Sequence, residues 1–227
     1  GTSPFDPDDG TGAAPAAAID VTSSKLQLDT GAGDSAVITV VVKKAGSVVL
    51  PDAPVTLVAS SGSLAVASSS TDDSGVVTAT LTPGSSVSEK ANRVITVTAT
   101  SGSVSSSVSV QVTGTTLAYS GATSFSVGST PKNLQVLLRD AKGAAISNAT
   151  VSVSASQLSN PFATTTVTTD GNGVATFSYT PTNAGTDALI FSALGATMTT
   201  SLSVSGEDFV FVTPPANQLI TVGASQT

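Results

Sequence analysis

Apolar and polar residues alternate along most of the chain from Ile19 onward. Between 104 and 112 the valines fall on one face of an extended strand, and the other face is serine and glutamine. The valines are Val104, Val108, Val110 and Val112, opposite Ser105, Ser107, Ser109 and Gln111. Because successive side chains of a strand point to opposite faces, this alternation predicts an antiparallel strand with one buried face.

Apolar runs of this kind recur and are separated by Gly, Pro, Asn, Asp and Ser, which favour turns. Val, Ile and Thr suit a pleated sheet, whereas strong helix formers are scarce, so no helix is predicted. In the first half we predict strands at 19–28, 35–44, 54–60, 64–70, 75–82, 92–100 and 103–113. In the second half we predict strands at 115–127 (with a break), 132–139, 149–156, 163–169, 173–181, 187–194 and 196–205.

The two halves of the chain repeat one another. The segment 52–60 aligns with 148–156, which lies 96 positions later, and 71–76 aligns with 169–174, which lies 98 positions later. Similarity at a nearly constant offset is typical of tandem repeats. About seven strands in each repeat of ~95 residues predict an all-β fold of tandem immunoglobulin-like (Ig-like) antiparallel β-sandwiches.

The repeats divide the chain into four expected segments. Residues 1–18, rich in Pro, Gly, Ala and Asp, form a flexible acidic tether. Residues 19–113 form the first Ig-like repeat, and residues 114–206 form the second. Residues 207–227 begin a third repeat or form a C-terminal tail, because 209–212 resembles a first strand.

The scarcity of basic residues excludes some classes of binding partner. The chain has 8 basic and 15 acidic residues, a net charge of −7, and Lys43-Lys44 is its only adjacent basic pair. Clustered Lys and Arg hold nucleic acids and anionic membrane surfaces, so we expect neither as a partner. No apolar run approaches the ~20 residues of a transmembrane helix.

The chain contains neither histidine nor cysteine. Ser-His-Asp and Cys-His nucleophiles, and metal sites with His or Cys ligands, are therefore impossible within it. No nucleophile elbow and no Gly-rich phosphate loop occurs in the sequence. We therefore predict that the chain is not an enzyme, binds no cofactor and takes no small-molecule substrate.

Three carboxylates are the candidates for a calcium site, although no metal is predicted. Asp170 lies in a predicted turn, and Glu207 and Asp208 lie where the second repeat ends. Calcium takes about six to eight oxygen ligands, so each position would need a neighbouring domain to contribute. The alternative is structural: Asp170 bonds to the backbone of its own turn, and Gly173 supplies the positive φ that reverses the chain.

Aromatic residues are concentrated in the second repeat and could mark a binding face. Phe177 and Tyr179 share one face of a predicted strand, and we expect them in the core. Phe162 follows Asn160-Pro161 in a predicted loop and is the best candidate for an exposed partner contact. Phe209 and Phe211, beyond the second repeat, are further candidates.

Two motifs of the second repeat resemble the bacterial Ig-like repeat of the intimin and invasin adhesins. The first is Asp140-Ala141-Lys142-Gly143, a D-x-x-G turn after a strand, and the second is Thr169-Asp170-Gly171-Asn172-Gly173. The first repeat keeps Thr71-Asp72-Asp73-Ser74-Gly75 but has Lys43-Lys44-Ala45-Gly46 in place of the first turn. The resemblance covers residues 19–206 and implies attachment to the outer membrane or secretion, with a role in adhesion.

One function is expected, with two alternatives. We expect a non-catalytic stalk or spacer of a bacterial cell-surface or secreted adhesin-like protein, whose partners are neighbouring Ig-like domains of the same chain. The first alternative is a module that binds a host protein or glycan through loops of the second repeat or an edge strand. The second is a set of accessory domains of a secreted polysaccharide-active enzyme. The expected location is extracytoplasmic, although no signal peptide or anchor is visible in the sequence.

Overall fold

The computed structural model describes residues 15–155 and 158–206. Most of the predicted tether and the whole of 207–227 lie outside the described residues. Those described are mainly β-strand and form four sheets, which pack as two sandwiches around two cores. The predicted all-β, Ig-like fold is confirmed.

The first sandwich is built from strands β1 to β9. They are β1 (Ala18–Ser23), β2 (Gln27–Asp29), β3 (Ala36–Lys44), β4 (Val48–Val49), β5 (Thr56–Ala59), β6 (Ser63–Val66), β7 (Val76–Thr82), β8 (Arg93–Ser101) and β9 (Val104–Thr113). One sheet has the order β1-β3-β7-β6, with β4 paired to β3, and the other has the order β2-β9-β8-β5. Among the described residues one 3-10 turn, Ser88–Lys90, is present; it precedes β8, where the sequence predicts no helix.

The second sandwich is built from strands β10 to β17. They are β10 (Thr116–Ser120), β11 (Ser124–Ser126), β12 (Lys132–Arg139), β13 (Thr150–Ala155), β14 (Thr166–Thr168), β15 (Val174–Tyr179), β16 (Gly185–Ala193) and β17 (Ala196–Ser205). One sheet has the order β10-β12-β15, and the other has the order β11-β17-β16-β13-β14.

The two cores are filled by different side chains at equivalent positions. In the first sandwich the inward positions of β7 and β8 include Ala79 and Ala99, which pack among Val, Ile and Leu. The equivalent positions of the second sandwich are Phe177 and Phe191, whose ring centroids lie 5.5 Å apart. Both rings are fully buried, as expected for Phe177. One architecture therefore accepts an aliphatic or an aromatic core, because packing density and not side-chain identity is what the fold requires.

The predicted first strand of each repeat is two strands in two different sheets. The predicted 19–28 is β1, antiparallel to β3, and β2, parallel to β9. The chain crosses between sheets at Ser24, whose Oγ accepts a hydrogen bond from Val37 N at 2.8 Å. Ser24 N still donates to Val37 O at 2.9 Å, so the serine hydroxyl replaces one of the two backbone bonds where the strand leaves the sheet, which apolar alternation does not reveal.

The predicted fourth strand of each repeat is divided between the two sheets. In the first, 63–66 pairs with β7, and Ser70 forms an isolated bridge with Pro54 just before β5. In the second, Phe162 forms an isolated bridge with Tyr179 of β15, and 166–168 pairs with β13. Alternation along a strand reports a buried face but not which neighbour the strand pairs with, so it does not reveal that this segment passes from one sheet to the other.

Thr71 and Thr169, which are aligned between the repeats, make the same hydrogen bonds in both sandwiches. Thr169 Oγ1 donates to Ile146 O at 2.8 Å and accepts from Ala149 N at 3.0 Å. Thr71 makes the same pair of bonds, to Leu50 O at 2.7 Å and from Ala53 N at 2.9 Å. Both threonines are buried, so each hydroxyl satisfies a loop carbonyl and a loop amide that water does not reach.

The residues after each buried threonine form the reversing turn. Asp170 Oδ1 accepts from Asn172 N at 2.8 Å and from Val174 N at 2.9 Å. Gly173 has φ of 71°, and a Cβ on it would lie 2.7 Å from Leu138 O. These contacts give Asp170 and Gly173 a complete structural role, as the turn interpretation predicts.

Removing the buried hydroxyl of Thr169 should destabilise the second sandwich. Thr169→Val keeps the shape but leaves Ile146 O and Ala149 N unpaired, at a cost of about 2 to 3 kcal/mol. The neighbouring Thr168 is exposed, so Thr168→Val should change the free energy of unfolding by less than about 0.5 kcal/mol. Urea unfolding measures both values, and equal effects of the two variants would contradict the assigned role of the hydroxyl.

Candidate functional site

Two residues, Gly114 and Thr115, join the sandwiches. Strand β9 ends at Thr113 and β10 begins at Thr116. Gly114 has φ of 110°, and a Cβ on it would overlap the side chain of Ala141 from the second sandwich. A connection this short, packed against the next domain, brings the loops at the end of one sandwich onto the loops at the start of the other.

Asn92 fixes the connection by binding both polar groups of Thr115. Its Oδ1 accepts from Thr115 N at 3.0 Å, and its Nδ2 donates to Thr115 O at 2.9 Å. Its own backbone N donates to Leu194 O, in the turn between β16 and β17, at 2.8 Å. Thr115 is buried and its Oγ1 donates to Lys90 O. The loop before β8 therefore holds the linker and the second sandwich at once.

Lys142 forms a second attachment on the other side of the linker. Its Nζ donates to Ala32 O, and its side-chain carbons cover Gly31, where an added Cβ would lie 2.8 Å from Cγ. Beside it, Ala141 N donates to Thr30 Oγ1 at 3.1 Å. The loop between β2 and β3 is thus bound by the loop that follows β12.

Asp140 interacts both with the loop that carries Lys142 and with Lys90 of the first sandwich. Its Oδ1 accepts from Lys142 N and Ala144 N, each at 2.9 Å, which shapes the loop that carries Lys142. Its Oδ2 lies 3.7 Å from Nζ of Lys90 in the first sandwich. The carboxylate is almost fully buried, so this ion pair is screened less by salt than a surface pair.

These residues define the candidate site as a joint, here named the junction: Thr30, Ala32, Lys90, Asn92, Thr115, Asp140, Ala141, Lys142 and Leu194. From its sequence, Asp140-Ala141-Lys142-Gly143 is a turn of the fold, and no role between domains is predicted for it. Asn92 carries no sequence signal at all, since it is a single amide before a strand. Only the three-dimensional arrangement brings these groups together.

The structure places Asp170 away from any metal-binding cluster. Within 15–155 and 158–206, no three His, Cys, Asp or Glu side chains are arranged to hold a metal ion. Glu207, Asp208, Phe209 and Phe211 lie outside the described residues, so the roles predicted for them stay predictions. The described part of the chain also contains no helix with the length and hydrophobicity needed to cross a bilayer.

Phe162 is partly buried against the core of the second sandwich. It forms an isolated bridge with Tyr179, and its ring centroid lies 5.2 Å from that of Tyr179 and 6.4 Å from that of Phe177. Only part of the ring is free for a partner, and the predicted contact role stays a prediction. The packing shows that the ring also stabilises the core.

A buried polar network that the sequence pattern does not predict lies next to Phe162. Asn160 Nδ2 donates to Tyr179 Oη at 2.7 Å, and Tyr179 Oη donates to Asp187 Oδ2 at 3.2 Å. Burial raises the pKa of Tyr179 to about 12, so its hydroxyl remains a donor at neutral pH. Asp187 occupies the position that Ile95 holds in the first repeat. A polar residue at this inward strand position is the one feature of the sequence that indicates a buried polar network.

The comparisons with known proteins agree with this architecture. Residues 114–206, which form the second sandwich, match the sequence model of the bacterial Ig-like domain (group 1). The predicted resemblance to the bacterial Ig-like repeats of intimin and invasin is confirmed. No curated protein sequence matches the chain.

Among solved structures, the chain is similar to the Yersinia pseudotuberculosis adhesin InvE. The identity is 17%, the TM-score is 0.55, and the match covers 82% of this chain and 58% of the InvE chain. The chain therefore spans just over half the length of that relative. The D0-D1 domain of intimin matches at 20% identity, covering 82% of this chain and 97% of its own, with a TM-score of 0.35. Invasin, a bacterial integrin-binding protein, matches at 17% identity, covering 84% of this chain and 40% of its own, with a TM-score of 0.41.

Loss of the Asn92 amide should loosen the junction without unfolding either sandwich. Asn92→Ala removes both bonds to Thr115, and the two sandwiches should then reorient more independently on the nanosecond timescale. Nuclear spin relaxation of backbone 15N measures this as a shorter correlation time. Asn133→Ala, at an exposed position of β12, is the matched control and should tumble like the native chain. An unchanged correlation time in Asn92→Ala would show that the amide does not restrain the joint.

Proposed function

We propose that the chain is a non-catalytic stalk or spacer of a bacterial cell-surface or secreted adhesin-like protein. The observation that carries the proposal is the junction, in which side chains of both sandwiches restrain a two-residue linker. A spacer must hold its far end away from its anchor, and a flexible linker would let successive domains fold back on one another.

The position of the contacts supports an end-to-end arrangement. The first sandwich contributes loops that precede β3 and β8, together with the end of β9. The second contributes the start of β10, the loop after β12 and the turn before β17. Each set lies at one end of its sandwich, so the sandwich lengths add. The natural partners of such a unit are further Ig-like domains of the same chain.

The bacterial Ig-like family match and the InvE-like fold support an extracytoplasmic location, at the cell surface or after secretion. Invasin and intimin fragments have been described with an integrin-binding function and with the translocated intimin receptor, respectively. Binding of a host protein or glycan by this chain remains the alternative proposal, and Phe162 is its nearest described residue. Accessory domains of a secreted polysaccharide-active enzyme are the other alternative.

Small-angle X-ray scattering of the full chain in dilute solution tests the spacer. The distance distribution should be that of an elongated particle, with a maximum dimension about twice that of one sandwich because domains placed end to end add their lengths. The double variant Asn92→Ala with Lys142→Ala should broaden and shorten the distribution, since both attachments are lost. A compact, symmetric distribution for the native chain would overturn the proposal.

A binding screen separates the spacer from the binding module. The full chain should not be retained on immobilised glycans or host matrix proteins. Retention that is lost in Phe162→Ala but kept in Phe125→Ala would favour the binding module instead. Phe125 is a suitable control because it too packs partly buried against the second core, with its ring 6.2 Å from that of Tyr179.

A further inference from the structure

Strand β5 forms an open edge of the first sandwich. Ser60 N donates to Thr96 O at 2.9 Å, and the strand pairs with β8 in the register Val58 opposite Thr98. In an antiparallel ladder the bonded residues alternate, so Leu57 and Ala59 direct their N–H and C=O groups away from β8. Within the described residues, no strand pairs with that outer side of β5 beyond the bond from Val55 N to Ser69 O.

The same edge is covered in the second sandwich. There β14 pairs with β13, and Val153 N, at the position equivalent to Leu57, donates to Thr165 O at 2.9 Å. In the first repeat only the start of this pairing is present, the isolated bridge between Pro54 and Ser70, because the chain stays on β7 as far as Ala67, whose N donates to Thr78 O at 3.0 Å. The open edge thus follows from where this segment leaves one sheet for the other.

The open edge lacks the usual protection against pairing. Natural edge strands carry charged residues that repel a second strand, yet 54–71 contains no charged residue in a chain of net charge −7. The edge strand β1, in contrast, carries Asp20, which is paired with Lys43. Val58 lies in the middle of β5 and is 59% exposed. An uncharged backbone edge beside an exposed apolar side chain fits an incoming uncharged strand.

We propose that the β5 edge pairs with the β5 edge of a second copy of this chain. An antiparallel arrangement is two-fold symmetric, so β5 of each copy forms one side of the same interface. With Val58 opposite Val58 of the second copy, Leu57 and Ala59 exchange backbone hydrogen bonds with Ala59 and Leu57 of the other chain. Val58 then occupies the non-hydrogen-bonded position, where opposite side chains are closest and both valines become covered.

The absence of charge explains why this surface suits a second copy. Elsewhere the acidic chains repel one another, and an uncharged edge is where two of them can approach. The strand is short, so a single contact is weak. Spacers held side by side at a surface would raise the local concentration and make the weak contact effective. The contact is lateral, and is independent of the end-to-end junction.

Single cysteines test the pairing, because the native chain has none. Opposite Cα atoms at a non-hydrogen-bonded position lie about 4.5 Å apart, within the range of a disulfide. Val58→Cys should therefore form disulfide-linked dimers about tenfold faster than Val94→Cys in a glutathione buffer, because pairing raises the effective thiol concentration. Val94 is the matched control: it is 58% exposed and lies on the interior strand β8 of the same sheet.

A charged residue at position 58 provides a second test of the pairing. In sedimentation equilibrium at high protein concentration, the native chain and Val94→Lys should self-associate, and Val58→Lys should remain monomeric. Thermal unfolding checks that both lysine variants are folded. Equal crosslinking rates of the two cysteine variants, a native chain that stays monomeric, or association that persists in Val58→Lys would each overturn the proposal. Scattering in dilute solution reports the spacer separately, so the two proposals can fail independently.

Discussion

The loop held by a buried threonine hydroxyl is the contact on which the rest of the structure depends. In the second sandwich, Thr169 binds the backbone at Ile146 and Ala149 and so fixes the chain that follows Asp140 and Lys142. That same loop reaches the first sandwich. A hydrogen-bonding requirement inside one core thus sets the position of side chains that act outside it, because buried amides and carbonyls accept few alternative geometries.

The internal repeat made the fold predictable from sequence, and specific residues explain why. The alignment of 71–76 with 169–174 works because one hydroxyl, one carboxylate and one glycine make the same bonds twice. The site was less predictable. Asn92 acts by binding Thr115, a neighbour in space but not in sequence, and an amide alone carries no pattern. Pairing partners also do not follow from alternation, since the fourth segment of each repeat is divided between two sheets.

The two sandwiches differ where the fold tolerates difference. Alanines at the core positions of β7 and β8 become phenylalanines in β15 and β16, and Ile95 becomes the buried Asp187. Such exchanges are absorbed because neighbouring side chains compensate in volume or in hydrogen bonding. The turn after each buried threonine admits less change, since its Asp carboxylate and its Gly backbone make the same bonds in both repeats.

The two sides of the junction are not interchangeable, and this affects how longer chains could arise by duplication of repeats. The residue equivalent to Asn92 at the far end of the second repeat is Ala184. At the near end of the first repeat Lys44 pairs with Val48 as Asp140 pairs with Ala144, which places Gly46 at the position of Lys142. Duplicating the pair as a unit would create a new joint without either attachment. Such a molecule would alternate stiff and loose joints, whereas duplicating a single repeat would add a joint that keeps one of the two attachments, Asn92 or Lys142.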